Sequence, residues 1–341
     1  PMEPTLRAKT LTGYFRVARR HGLDPLALLH EVGIEATWLA NPDYRIPVAS
    51  ACQLLETAAE RAHCASFGLE MAELRQKDDA GAVGILLAHK RTLRDALQVI
   101  VQYRQLANDP LGVHIETTAD LVSIREEVLA TGPVQPRQAT ELAVGIMTKI
   151  CRGLLGPQWN PRSVNFMHAA PADRRFHRRF FNCPLAFDSD FNGIVCTADD
   201  LDYPNPAADP QLVRFAETLA RPVNEAGPKK ITLDVRRAIY VLLPLEQASI
   251  DEVAAYLHLS TRTLQRQLQE VDSDFSQLLG HVRQELAVRY LANARFPIGR
   301  IASMLGFSRQ ASFTRWFASR FNVTPRAWRK DRAPPTAPGP G

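Results

Sequence analysis

The 341-residue chain lacks the marks of several large protein classes. No apolar run approaches the roughly 18 residues of a membrane-crossing helix, so no membrane partner is expected. The first residues carry no charged-then-apolar signal pattern, and a cytoplasmic protein is the expectation. Cysteine is sparse. The five residues Cys52, Cys64, Cys151, Cys183 and Cys196 are odd in number, widely spaced and never arranged as C-x-x-C. That argues against a disulfide framework and for buried, reduced thiols acting as small apolar side chains, with a redox or metal sensor as the alternative. His168 and His177 lack the i, i+4 spacing or the partner cysteine of a zinc site on one helix, so neither metal nor cofactor is expected.

Lysine is nearly missing from the last third. Residues 231–341 hold 15 Lys plus Arg against 9 Asp plus Glu, and fourteen of the 15 are Arg. Residues 1–230 hold 26 against 27, so the C-terminal segment carries +6 and the rest −1 of the chain's net +5. A basic segment beside a neutral one points to phosphate as its partner, and arginine's planar fork suits both phosphate and guanine.

That segment ends in FPIGRIASMLGFSRQASFTRWFASRFNVTPRAWRK, from Phe296 to Lys330. Ile298, Ile301, Ala302 and Leu305 form one stripe of a helix that Pro297 opens and Gly306 closes. Ser308 is placed to cap the next helix, whose Phe313, Trp316, Phe317 and Phe321 face inward while Arg309, Ser312 and Arg315 face out. Such a helix has the build of one that enters the DNA major groove, although an ordinary helical hairpin fits as well. A second copy favours the first reading. From Ser249, SIDEVAAYLHLSTRTLQRQLQEV places Ile250, Val253, Ala254 and Leu257 at the same offsets, with Ser260 as cap. The following helices align only if the later copy carries one extra residue, which matches Leu264 with Phe313, Arg266 with Arg315 and Leu268 with Phe317. Between the copies, Leu278, Leu279, Val282, Leu286 and Tyr290 predict a helix over Ser276–Ala294. At roughly 28 Å it could hold two reading heads near one DNA turn, roughly 34 Å, apart.

On these residues, 231–332 resembles the DNA-binding domain of AraC/XylS-family transcription regulators. The matching positions are Ile301, Ala302, Gly306, Phe307, Ser308, Phe313, Arg315, Phe317, Phe321, Thr324 and Pro325. Asn322 stands where the family usually has Gly, and Trp328 where it usually has Tyr. Asn tolerates the left-handed backbone of a helix end, so the turn should survive. His258 replaces the glycine seen at Gly306, which adds strain to the first copy.

The remainder mixes helix and strand. Residues 5–21 are expected to begin with a helix. Asp24-Pro25 opens another, in which Leu26, Leu29 and Val32 pack before Gly33 ends it. Pro47 starts a third with Val48, Ala51, Leu54, Leu55 and Ala58 on one face. Ala80–Ala88 is the most apolar stretch, read as a core helix or as a place where Gly81, Ala82 and Gly84 line an effector pocket. Thr92 caps the next helix. Gly112–Val128 alternates across a break at Thr118–Asp120, which predicts a β-hairpin. Arg137–Leu155 is helical, Ser163–Met167 and Asn192–Thr197 are strands, and Pro171 to Asp173 opens a short helix between them.

The block from Gly156 to Cys196, with Pro161, Val164, Phe166, Pro171, Phe180, Phe181, Pro184, Phe187, Phe191 and Asn192, resembles the mixed α/β arabinose-binding-like N-terminal domain of another branch of these regulators. The resemblance implies small-molecule input. Within it RRFHRRF, from Arg174 to Phe180, reads as a solvated helix face over packed phenylalanines, or as a site for an acidic effector or DNA phosphate. The expected organisation is a mixed α/β effector-binding and dimerisation domain (1–220), a linker (221–230), an all-α DNA-binding domain with two helix-turn-helix subdomains joined by a long helix (231–332), and a disordered Pro-rich tail (333–341).

Candidate base contacts in the first copy are Arg262, Gln265 and Arg266. The family pattern carries over to Arg309, Gln310, Ser312, Thr314 and Arg315 in the second. Each could instead touch phosphate. Arg283, Arg289 and Arg295 are expected on phosphates or in surface ion pairs. The resulting reading is not an enzyme. It is a one-component transcription regulator, an activator by family habit, with double-stranded promoter DNA, a small-molecule effector, RNA polymerase and a second copy of the chain as partners. The alternative is a regulator that binds DNA constitutively or under a protein partner. An alkyl-transfer repair enzyme, found fused to such domains, would need zinc-binding and acceptor cysteines whose spacing is missing.

Overall fold

The computed structural model describes residues 4–103, 110–130, 136–220 and 229–332, and divides the chain into Pro1–Glu225 and Ala226–Gly341. The division falls within the expected linker, which lies outside the described residues except for Lys229 and Lys230. The expected tail also lies outside them.

The first unit opens with a strand, not a helix. Thr5–Arg7 (β1) pairs antiparallel with Arg45–Pro47 (β2), a 3-10 turn follows at Ala8–Leu11, and the first α-helix begins only at Tyr14–Arg20 (α1), after Gly13 at φ 94°. The partner strand lies some forty residues away, so no local pattern could announce it. In Pro25–Glu31 (α2) the Asp24 carboxylate accepts the N–H groups of Leu26 and Ala27, as expected of a cap. Its buried face is Leu28 and Leu29, whereas Leu26 is 54% exposed, which corrects the expected packing. Ala36–Leu39 (α3) leads to Val48–Arg61 (α4), which buries all five residues expected of it. Phe67–Leu74 (α5), Gly81–His89 (α6) and Leu93–Gln102 (α7) follow, the last capped by Thr92 Oγ1, which accepts the N–H of Asp95.

The hairpin Leu111–Thr118 (β3) and Leu121–Val128 (β4) pairs from Leu111↔Val128 to Thr118↔Leu121. Arg137–Leu155 (α8) packs behind it. Ser163–Asn165 (β5), Arg175–Phe181 (α9), Leu185–Ala186 (β6) and Gly193–Thr197 (β7) complete a five-stranded sheet of order β3-β4-β7-β5-β6. It is antiparallel except for β5 with β6. Ala198–Asp202 (α10) and Pro210–Leu219 (α11) close the unit. Helices α5 and α8 approach closely because Gly68 carries no side chain. A Cβ there would stand 2.1 Å from the Gln138 carbonyl oxygen.

The second unit is helical: Lys229–Leu242 (α12), Ile250–Tyr256 (α13), Thr261–Gln269 (α14), Phe275–Ala292 (α15), Ile298–Met304 (α16), Gln310–Phe321 (α17) and Pro325–Arg332 (α18). Neither α12 nor α18 was marked by sequence pattern. The core is formed where α12 and α15 pack, with Val235, Ile239, Val282 and Leu286 buried, and the two short helix pairs attach along it. No described helix is long and apolar enough to cross a membrane.

Candidate nucleic-acid interface

The duplication read from sequence extends to individual hydrogen bonds. In the first pair the N–H of His258 donates to the Ala255 carbonyl at 3.0 Å, and that of Leu259 to the Ala254 carbonyl at 2.9 Å. In the second, Gly306 N–H reaches Ser303 O at 2.8 Å and Phe307 N–H reaches Ala302 O at 2.9 Å. These are the paired bonds of a helix end whose next residue is left-handed. His258 has φ 57° and Gly306 φ 72°, so the histidine does occupy the unfavourable region. Gly306 is also hemmed in, since a Cβ there would lie 3.2 Å from an Arg283 guanidinium nitrogen and 3.3 Å from Leu243 Cδ1. Asn322, at φ 54°, ends α17 as expected.

The two pairs differ at the start of their second helices. Ser260 caps α14, accepting the N–H of Thr263 at 3.1 Å. Ser308 does not cap α17, contrary to expectation. The extra residue of the later copy puts Arg309 at the cap position, and no side chain caps that end. Helix α17 is instead held from behind by aromatic packing. Phe313 and Phe317 are fully buried with ring centroids 5.8 Å apart, Phe307 lies 5.3 Å from Trp316, and Trp328 meets Phe317 edge-on at 6.4 Å. In α14, Leu264 and Leu268 fill the corresponding places.

With these backs buried, the opposite faces carry the predicted contacts. Arg262, Gln265 and Arg266 are exposed on α14, and Arg309, Gln310 and Arg315 are exposed at α17, while Ser312 and Thr314 are half-buried. Arg266 lies 3.7 Å from Glu270, an exposed i, i+4 pair that costs little to open. Gln310 leans back, its Oε1 only 3.1 Å from where a Cβ on Gly299 would stand. Arg283 departs from expectation. Its Nε donates to the Leu305 carbonyl at 2.9 Å and its guanidinium lies over the Phe307 ring at 5.0 Å, so it braces the second turn. Arg289 lies over the Tyr240 ring at 5.7 Å.

In the first unit, His168 and His177 converge on Glu141, a grouping that no sequence pattern revealed. His177 Nε2 lies 2.9 Å from Glu141 Oε2, and His168 Nε2 lies 3.3 Å from Oε1. Burial alone would raise the Glu141 carboxyl; the hydrogen bond from His177 and the nearness of both histidines and Arg137 outweigh it and hold the carboxyl below its ordinary value. Among the described residues one trio has metal-ligating atoms within 4.8 Å of one another: His21, Cys64 and Glu70. The Cys64 thiol donates to Glu70 Oε1 at 3.2 Å, His21 Nε2 lies 3.1 Å from Oε2, and the Arg20 guanidinium 3.4 Å from it. Arg20 already supplies the positive charge the carboxylate needs. The cysteines are free, with Cys183 half-buried and the others buried.

Comparison with known proteins gives the same division. A family model described as the arabinose-binding domain of AraC transcription regulator, N-terminal, matches residues 22–205, and a helix-turn-helix domain model matches residues 253–331. HTH-type transcriptional regulator VirS of Mycobacterium tuberculosis is 28% identical over 330 residues, 95% of this chain and 96% of its own length. An ornithine utilization regulator of Pseudomonas aeruginosa is 24% identical, over 91% of this chain and 92% of its own. HTH-type transcriptional regulator VqsM of the same organism is 25% identical, over 82% and 90%.

Proposed function

The chain belongs to the AraC family of transcription regulators, in the branch with an arabinose-binding-type first domain, and on that premise we propose that it is an effector-controlled activator whose two helix pairs read successive major grooves. The observation that carries this is the turn repeated bond for bond, each copy followed by a helix with a buried back and an exposed Arg and Gln front. The base-reading residues are Arg262, Gln265 and Arg266 in one head and Arg309, Gln310, Ser312, Thr314 and Arg315 in the other. The 18 residues of α15 make a rod about 27 Å long, compatible with heads about one DNA turn apart. Footprinting on the promoter of an adjacent operon should show two protected major grooves per chain on one side of the duplex. Protection of one groove would remove the second reading head.

Activation requires contact with RNA polymerase, and control requires a small molecule in the first unit. The name of the ornithine utilization regulator supports input from a metabolite. Pairing of two chains is assigned to α11, where Leu212, Phe215 and Leu219 lie on one face and the last two are 58% and 59% exposed. Phe215→Glu should convert a dimer to a monomer in analytical ultracentrifugation. An unchanged sedimentation coefficient would move the interface elsewhere.

A further inference from the structure

Helices α6 and α8 do not close on one another along their whole length. Gly84, Leu87 and Ala88 of α6 face Ile146, Lys149, Ile150, Gly153 and Leu154 of α8 across a cavity of about 300 Å³, with Arg75, Gln76 and Asp79 at one end. The spacings, i, i+3, i+4 on one helix and i, i+3, i+4, i+7, i+8 on the other, are those of two facing stripes that would ordinarily interlock. They stay apart because small residues stand where knobs would be. A Cβ on Gly153 would meet nothing within 4 Å. Glycine inside a helix is destabilising relative to alanine, so this position maintains space at the expense of helix stability. The volume is at the lower end of the range for small-molecule sites.

The polar groups gather at one end. Arg75 Nη2 donates to the Thr10 carbonyl at 2.7 Å, but its Nε is buried with no hydrogen-bond partner among the described residues. A buried N–H without an acceptor is uncommon and unfavourable. Lys149 is fixed beside it, its Nζ donating to the carbonyls of Ala72, Glu73 and Arg75 at 3.2, 2.7 and 2.5 Å. Asp79, which accepts the Gln76 N–H at 2.8 Å, and Glu73 supply the opposing charge, and Glu73 is already paired with Arg179 at 2.9 Å. Arg75, Lys149 and Arg179 against Glu73 and Asp79 leave the end positive by one charge. Burial pushes Arg75 down to about 10 and lowers Lys149, and the nearby carboxylates offset only part of that burial.

We propose that this cavity is the effector site, and that it takes an organic monoanion with a compact apolar body, the anionic group at the Arg75 end and the body between Leu87, Ile146, Ile150 and Leu154. The proposal rests on the reading of the chain as an effector-controlled regulator. A sugar fits poorly despite the name of the family model, because hydroxyls around a ring need polar partners on several sides and these walls are apolar. One excess positive charge at one end of an otherwise apolar space suits a single carboxylate.

The test uses the full chain and a panel of aliphatic and aromatic monocarboxylates, cyclohexanecarboxylate among them, each paired with its neutral carboxamide and with inorganic phosphate as the bare anion. Thermal shift should show stabilisation by at least one carboxylate and none by its amide or by phosphate. Gly153→Leu, which fills open space, should abolish that shift while leaving melting cooperative and DNA affinity intact. Arg75→Gln should reduce the preference for acid over amide at least tenfold. Equal shifts by acid and amide, a shift by phosphate alone, a shift surviving in Gly153→Leu, or no shift across the panel would each overturn the assignment. Promoter binding measured on the same samples separates that failure from failure of the regulator reading, which predicts DNA binding whatever the cavity holds.

Discussion

Arg315→Ala is expected to weaken binding to a cognate promoter site by about 1–3 kcal/mol, roughly 5- to 150-fold, while leaving binding to random DNA nearly unchanged. The reason lies in the packing of α17. Phe313 and Phe317, on either side of Arg315 in sequence, are buried at the helix back, which turns the Arg315 side chain outward, and it is exposed with no ion-pair partner among the described residues. A guanidinium so placed gives up no internal bond on binding, and its fork matches the O6 and N7 acceptors of guanine. The measurement is a titration of both proteins on cognate and random duplexes over a salt series. Equal losses on the two duplexes, with the salt slope reduced by about one, would assign Arg315 to a phosphate instead.

Glu126→Gln should stabilise the first unit increasingly as pH rises. Glu126 is 2% exposed, neither carboxyl oxygen has a hydrogen-bond partner among the described residues, and burial pushes its pKa up from 4.5 to about 8. A carboxyl whose folded-state pKa is raised binds its proton more tightly in the folded chain. The stability this gives is complete below the unfolded pKa near 4.5 and is lost as pH rises towards about 8, where the buried group must ionise. Glutamine has no such titration. The difference between variant and parent should therefore be small at pH 4.5 and grow by about 1.4 kcal/mol per pH unit, to on the order of 4 kcal/mol by pH 8. Denaturant unfolding at several pH values measures it. Parallel stability curves for the two proteins would sink the idea that Glu126 is buried without compensation.

Features that depend on nearest neighbours were legible. The Asp24, Thr92 and Ser260 caps each need only a side-chain oxygen and a backbone N–H two or three residues on, and all three form as expected. The hairpin from Leu111 to Val128 was visible for the same reason, since its strands are joined by a short turn. Ser308 falls one residue short of the cap because the extra residue of the later copy shifts that position to Arg309. Leu26 is exposed while Leu28 and Leu29 are buried, because a helical stripe leaves open which of its edges meets the core.

The sequence by itself determined that the C-terminal third is basic, arginine-rich and built on one helical motif used twice, because charge and the 3.6-residue period are written in consecutive residues. It determined equally that the face bearing Arg262, Gln265, Arg266, Arg309 and Arg315 lies opposite buried apolar residues. Only tertiary structure decided that Arg283 braces a turn, that β1 pairs with β2, that Glu141 gathers two histidines, and that Gly153 of α8 stands across a cavity from Gly84 of α6. Each of these joins residues separated by about twenty to seventy positions. Such contacts are chosen by which surfaces exclude water together, and no local period encodes that choice.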